Sequence, residues 1–199
     1  MVPALILAAG RSTRMGRPKA LLPCGPGGDP FIVQLAAGLM AGGAGRLLVV
    51  GREEDEPLRR LVQARLPDAR FVVNRDPDGG GQLSSLLAGL DALDETMVTG
   101  VLVAPVDVPR VSAATVAALL GAAACRPGRI VRAVHGGRHG HPVYFPRELF
   151  DELRRADPRR GAKAVVRAHE TAIVDVEVPD AGVVEDIDTP GDYARAFGP

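Results

Sequence analysis

Four times in its first 125 residues the chain repeats one unit, a short and nearly continuous apolar run followed by a stretch with helical spacing. The pairs are Ala4 to Ala8 with Phe31 to Met40, Leu47 to Val50 with Leu58 to Leu66, Phe71 to Val73 with Leu86 to Leu93, and Val101 to Ala104 with Ala113 to Ala124. Runs of Val, Ile and Leu without polar alternation suit strands buried on both faces, and strands separated by helices pair in parallel. The expectation is an α/β fold, a Rossmann-like and mostly parallel sheet flanked by helices on both faces. Ligands of such sheets bind beyond the carboxyl ends of the strands. That rule singles out three loops: Ala9 to Lys19, Asn74 to Ser85, and Pro105 to Pro109.

The first loop follows a strand end with Leu7-Ala8-Ala9-Gly10-Arg11-Ser12-Thr13-Arg14-Met15-Gly16-Arg17-Pro18-Lys19. Gly10 and Gly16 let backbone amides approach phosphate oxygens, and Arg11, Arg14 and Lys19 add positive charge. The loop reads as a nucleoside triphosphate cradle. It is not a Walker loop, because the glycines are too far apart and no Lys follows Gly16, and G-x-G-x-x-G is absent. Lys19 stands out further because the chain has only two lysines, Lys19 and Lys163, against twenty-two arginines. A compact ammonium sits between phosphates where a planar guanidinium would crowd them.

Past Arg129 the pattern changes. Strands at Ile130 to Val134 and Pro142 to Phe145 flank the glycine-rich turn Gly136-Gly137-Arg138-His139-Gly140, and helices follow at Arg147 to Arg155 and Gly161 to His169. A strand at Ala172 to Val178 leads through Glu185-Asp186-Ile187-Asp188-Thr189-Pro190 to a closing helix ending at Phe197. The length suits one domain over 1–199, with a nucleotide-binding half at 1–125 and an acceptor-binding and closing half at 126–199.

Composition narrows the partners. Net charge is zero and aromatic content only 4%, without Trp. Neither a basic track nor a base-stacking platform is present, so nucleic acid is not an expected partner. No apolar stretch reaches the roughly 18 residues of a membrane span. Cys24 and Cys125 are far apart with no C-x-x-C, and no leader precedes the first strand, which reads as a cytoplasmic protein.

Two carboxylates lie in stiff surroundings. Asp107 follows a buried-looking strand and is boxed by Pro105 and Pro109, which limit backbone freedom. Asp188 precedes Thr189-Pro190, where Thr189 suits the cap of the closing helix and Pro190 its first position. In Asp78-Gly79-Gly80-Gly81-Gln82-Leu83-Ser84-Ser85, three glycines permit close approach, while Gln82, Ser84 and Ser85 offer neutral donors and acceptors to a nucleobase edge. Ser84 equally suits the cap of a helix beginning at Ser85. His135, His139 and His141 have no cysteine or carboxylate close enough in sequence to complete a zinc site.

The stretch L-A-A-G-R-S-T-R-M-G-R-P-K resembles the signature of nucleotidyltransferases related to molybdenum cofactor cytidylyltransferase and guanylyltransferase. V-D-V-P at Asp107 resembles that family's D-x-P metal site, and D-I-D-T-P-G-D-Y its C-terminal motif, with Gly191 where Glu is usual. The resemblance implies a nucleotidyltransferase (glycosyltransferase A-like) architecture in which Asp107 and Asp188 hold Mg²⁺, with Asp186 as the alternative second ligand. It assigns Leu7, Ala8, Ala9, Gly10, Arg11, Ser12 and Gly16 to the nucleotide, and Gly81, Gln82, Ser84 and Ser85 to its base. Lys19, Arg14 and Asp107 become the catalytic set. G-H-P-V-Y-F resembles the segment near the acceptor, which makes His141 and Pro142 candidate acceptor residues.

Ala8-Ala9-Gly10 is like the cytidylyl branch, since the guanylyl branch usually has Gly where Ala9 stands. The implied reaction transfers CMP from CTP to the terminal phosphate of molybdopterin and releases pyrophosphate, with transient contact with a recipient molybdoenzyme. Guanylyl transfer, nucleotidyl transfer to a sugar phosphate or another phosphorylated metabolite, and a non-catalytic nucleotide-binding maturation factor are the alternatives.

Overall fold

The computed structural model describes residues 1–198. Seven strands form one sheet: β1 (Ala4–Leu7), β2 (Leu47–Arg52), β3 (Arg70–Asn74), β4 (Gly100–Pro105), β5 (Val131–His135), β6 (Arg138–Pro146) and β7 (Val174–Glu177). Their order across the sheet is β3-β2-β1-β4-β6-β5-β7. Leu5 of β1 sits opposite Leu48 on one side and Val103 on the other, both in parallel register. Only β6 runs against the rest, antiparallel to β4 and β5, while β5 and β7 are parallel.

Helices cover both faces because successive side chains of a strand point to opposite sides. Ala4, Ile6, Val49, Leu102 and Ala104 pack under α1 (Phe31–Ala41), α2 (Glu56–Arg65) and α4 (Ala113–Cys125). Leu5, Leu48, Val101 and Val103 face α3 (Gly81–Asp91), α5 (Phe150–Arg155) and α6 (Ala162–Ala168). The unbroken apolar runs are thus two alternating faces, each with its own core. The closing helix, α7 (Pro190–Phe197), begins with a capping box between Thr189 and Asp192 and has Pro190 in its first turn. Tyr193 and Phe197 pack against Phe31 of α1, and the Tyr193 hydroxyl donates to the Pro23 carbonyl. No helix among the described residues is long and apolar enough to cross a membrane.

Two boundaries differ from the sequence reading. Residues 136–140 are not one turn: only Gly136 and Gly137 turn, with φ of 56° and 75°, and β6 begins at once with Arg138 opposite His135. Two consecutive residues with positive φ are what a tight two-residue hairpin requires. Helix α3 begins at Gly81, so Ser84 lies inside its first turn and does not cap it. The Asn74 side-chain amide donates to both Ser84 Oγ and Ser85 Oγ, and this contact with β3 holds the early turn that Gly80 and Gly81 would otherwise weaken.

Candidate active site

Strand order turns back between β1 and β4, which is where an open α/β sheet has its crevice. The loops leaving those two strands carry Lys19 and Asp107. Ser12 takes a φ of 53°, the one non-glycine residue with positive φ among the described residues, at a cost of about 1–2 kcal/mol. Its carbonyl accepts from Met15 and Gly16, and its hydroxyl accepts from the Lys19 backbone N–H at 3.2 Å. Buried Met15 anchors the loop. The strained residue therefore fastens the start of the loop to the lysine at its end.

The Lys19 ammonium lies 3.0 Å from Asp107 Oδ2 and 2.6 Å from Asp188 Oδ1. Asp188 also meets Arg14 at 2.9 Å. Chain positions 19, 107 and 188 converge because the Ile187 N–H donates to the Asp107 carbonyl, stitching the last loop to the end of β4. Burial lowers the Lys19 pKa, but the charges and hydrogen bonds of Asp107 and Asp188 outweigh it, so the group is held above its ordinary value and stays protonated. Asp107 Oδ1 is buried with no hydrogen-bond partner. The neighbouring Asp186 carboxyl is pushed up by burial and by the negative charges of Asp107 and Asp188.

Asp107, with its orphaned oxygen, and Asp188 offer carboxylate oxygens that could hold a divalent cation. The protein would supply few ligands, because among the described residues no group of three His, Cys, Asp or Glu side chains is spaced to enclose a metal. That suits magnesium-type ions, which keep waters and take substrate phosphate oxygens.

Two cavities meet here. A smaller one of about 250 Å³ runs along Ala9, Gly10 and Ser12 to Lys19 and Asp107, with Gln82 and Ser85 on its far wall. A larger one of about 740 Å³ contains His141, Asp186 and Lys163. Leu7, Gly81, Gln82 and Pro105 border both. His141 is partly buried, yet its Nδ1 is shut off from solvent without a partner, and burial pushes its pKa down so that it is neutral at pH 7.

Other candidates lie off these walls. Ala8 is buried, Gly16 makes a positive-φ turn, and Pro142 is buried in β6 after the cis His141–Pro142 bond. The Ser84 hydroxyl donates to the Gly81 carbonyl and accepts from Asn74, and it lines neither cavity. Arg11 is tied to Asp78 at 2.6 Å.

Sequence reasoning missed two features. Arg52, at the end of β2, is 8% exposed and donates to the Ala9 carbonyl and to Asp78. The larger cavity has a cationic wall of Arg159, Arg160, Lys163 and Arg167, none with an ion-pair partner among the described residues. The cluster Arg159-Arg160-Gly161-Ala162-Lys163 was the available signal for that wall.

The family model described as the MobA-like NTP transferase domain matches residues 4–173. The chain belongs to that family. As a MobA-like protein it is a nucleotidyltransferase. It is 32% identical over 180 residues to a molybdenum cofactor guanylyltransferase of Rhizobium meliloti (strain 1021), covering 87% of this chain and 78% of the relative. A molybdenum cofactor guanylyltransferase of Xanthomonas euvesicatoria pv. vesicatoria (strain 85-10) is 36% identical over 118 residues, which span 58% of this chain and about half, 52%, of the relative. The fold is similar to the crystal structure of Rv0371c from Mycobacterium tuberculosis H37Rv, with a TM-score of 0.80, 25% identity, and coverage of 100% of this chain and 98% of the other.

Proposed function

We propose that this MobA-like protein transfers a nucleoside monophosphate from its triphosphate to the terminal phosphate of a molybdopterin-type cofactor. An acceptor phosphate oxygen bonds to the α-phosphorus, the bond to the bridging oxygen breaks, and pyrophosphate leaves. A phosphate monoester has a second pKa near 6 and is largely dianionic at pH 7, so no protein base is required. The observation that carries the reading is the Lys19 ammonium held between Asp107 and Asp188 where two cavities meet. One cavity suits the donor, and the other, with its cationic wall, suits an anionic acceptor.

Lys19, Arg14 and the first-loop amides would stabilise charge on the departing pyrophosphate, with preorganised donors doing the work of solvent. Asp107 and Asp188, with Asp186 alongside, would hold Mg²⁺ or Mn²⁺, which when bound neutralises charge on the phosphoryl oxygens. His141 and Gln82 would border the acceptor. Both curated relatives carry the guanylyl name, which supports GTP as donor and outweighs the cytidylyl expectation. CTP is the second reading, supported by Ala9, whose methyl lies where the guanylyl branch usually has Gly.

The test is pyrophosphate release from GTP, CTP, ATP and UTP with either metal, with and without molybdopterin. Release that requires the cofactor supports the proposal, and the preferred base decides between GTP and CTP. Nucleotide binding without release under any combination would leave the non-catalytic maturation factor as the better account.

A further inference from the structure

We propose that Arg52 is a positioning residue for nucleobase selection, acting through the peptide between Ala9 and Gly10. The proposal rests on the nucleotide reading of the smaller cavity. Arg52 Nε donates to the Ala9 carbonyl at 2.7 Å. One Nη atom reaches Glu54 and Asp78, and the other reaches Asp78. The guanidinium is thus buried, engaged at all three nitrogens, and on the wall of neither cavity. It is built to hold a backbone group rather than to touch a ligand.

Peptide geometry supplies the consequence. The Ala9–Gly10 bond is trans, so its carbonyl and its N–H point in opposite directions. With the carbonyl turned toward Arg52, which lines neither cavity, the Gly10 N–H is turned away from Arg52, and Gly10 itself lines the smaller cavity. That N–H has no partner among the described residues. Without Arg52 this peptide is free to turn over, because Gly10 tolerates most backbone conformations and nothing lies within 4 Å of where its Cβ would be. A turned peptide would present an acceptor where the native one presents a donor. Donor against acceptor is what separates the hydrogen-bonding edges of the four bases.

Asp78 explains why the anchor is an arginine. It accepts from Arg52 and, on its other side, from Arg11 of the first loop, so one carboxylate links the ends of β1, β2 and β3. A lysine would bring its donors to a single point, whereas the planar guanidinium reaches the Ala9 carbonyl from Nε and Asp78 from its Nη atoms in a fixed fork. Because Asp78 and Glu54 both pair with it, Arg52 acts through geometry and not as an additional cation for the triphosphate.

The experiment measures Kd for GTP, CTP, ATP and UTP with Mg²⁺, for wild type, Arg52→Met and Asp78→Asn, without acceptor. Met keeps the apolar stem and removes the donors. In Arg52→Met the ratio between the best and second-best base is expected to fall about tenfold, the size of one well-oriented hydrogen bond, while the weakest base changes little. Asp78→Asn keeps the bond to Ala9 but loosens the fork, and is expected to lower the ratio about threefold by the same reasoning. It decides the matter if Arg52→Met does not fold. Equal weakening for all four nucleotides, or an unchanged ratio, would overturn the assignment of Arg52 alone. If wild type binds no nucleotide, the nucleotidyl reading fails and takes this one with it.

Discussion

Replacing Lys19 with Met should strengthen metal binding and abolish most turnover. Lys19 bridges Asp107 and Asp188 at 3.0 and 2.6 Å, and its side chain is 11% exposed against 19% and 23% for its partners. Such pairs fall between exposed ones, worth at most about 1 kcal/mol, and buried ones, where loss of one partner costs about 3–5 kcal/mol. We expect a loss of about 2–3 kcal/mol without metal, because two carboxylates and nearby Asp186 are left facing one another. For a chain of this size that lowers Tm by roughly 5–10 °C. On the proposed reading a divalent cation would share those carboxylates with the ammonium. With the ammonium gone, its affinity should rise by tenfold or more, since each 1.4 kcal/mol is a factor of about ten. Turnover should nevertheless fall roughly a hundred- to a thousandfold, the usual effect of removing one preorganised stabiliser of developing charge. Thermal unfolding over a Mn²⁺ titration reads the first effect, and pyrophosphate release the second. A variant as stable as wild type without metal, with no larger metal-induced rise in Tm, would refute the reasoning.

Two further outcomes test the frame around the site. Asp180 accepts from the Ser112 N–H, the Thr115 hydroxyl and the Gly182 N–H, joining the start of α4 to the turn before Asp186. Burial pushes its carboxyl up, but these hydrogen bonds outweigh burial and hold it below its ordinary value. A depressed folded-state pKa contributes stability above the unfolded value near 4 and loses it as pH falls further. Asp180→Ala should therefore cost about 2 kcal/mol at pH 7, with the gap in Tm closing below about pH 4. A gap independent of pH would count against the ionised form. At Gly140 an added Cβ would lie 2.1 Å from the Val183 carbonyl oxygen, so Gly140→Ala must push the turn before Asp186 away. Overpacking of this kind costs about 1–3 kcal/mol, and an unchanged Tm would show that this turn yields freely.

The strand and helix pairs were legible because β1, β2 and β4, buried on both faces, cannot hide their apolar runs. The start of β6 was harder, since Arg138 and His139 are exposed and only the two positive-φ glycines mark where the hairpin turns. The early start of α3 depends on Asn74 reaching across from β3, which local propensity does not register. Within the site, Lys19, Asp107 and Asp188 announced themselves through rarity or rigid flanks. Arg52 did not, because one arginine among twenty-two at a strand end looks like surface charge until the Ala9 carbonyl and Asp78 are seen beside it.

The docking of α7 has a consequence for how the enzyme comes into being. A growing chain is extended from its amino end and tends to fold in that order. Lys19 and Asp107 therefore emerge early, but Asp188 waits for the loop stitched to Asp107 and for Tyr193 and Phe197 to find Phe31. On the proposed reading, a half-made molecule would have the nucleotide crevice without Asp188 in place. On the same reading, loss of α7 would take away the packing of Tyr193 and Phe197 on Phe31 that seats the loop carrying Asp188, so activity would report that this helix has docked.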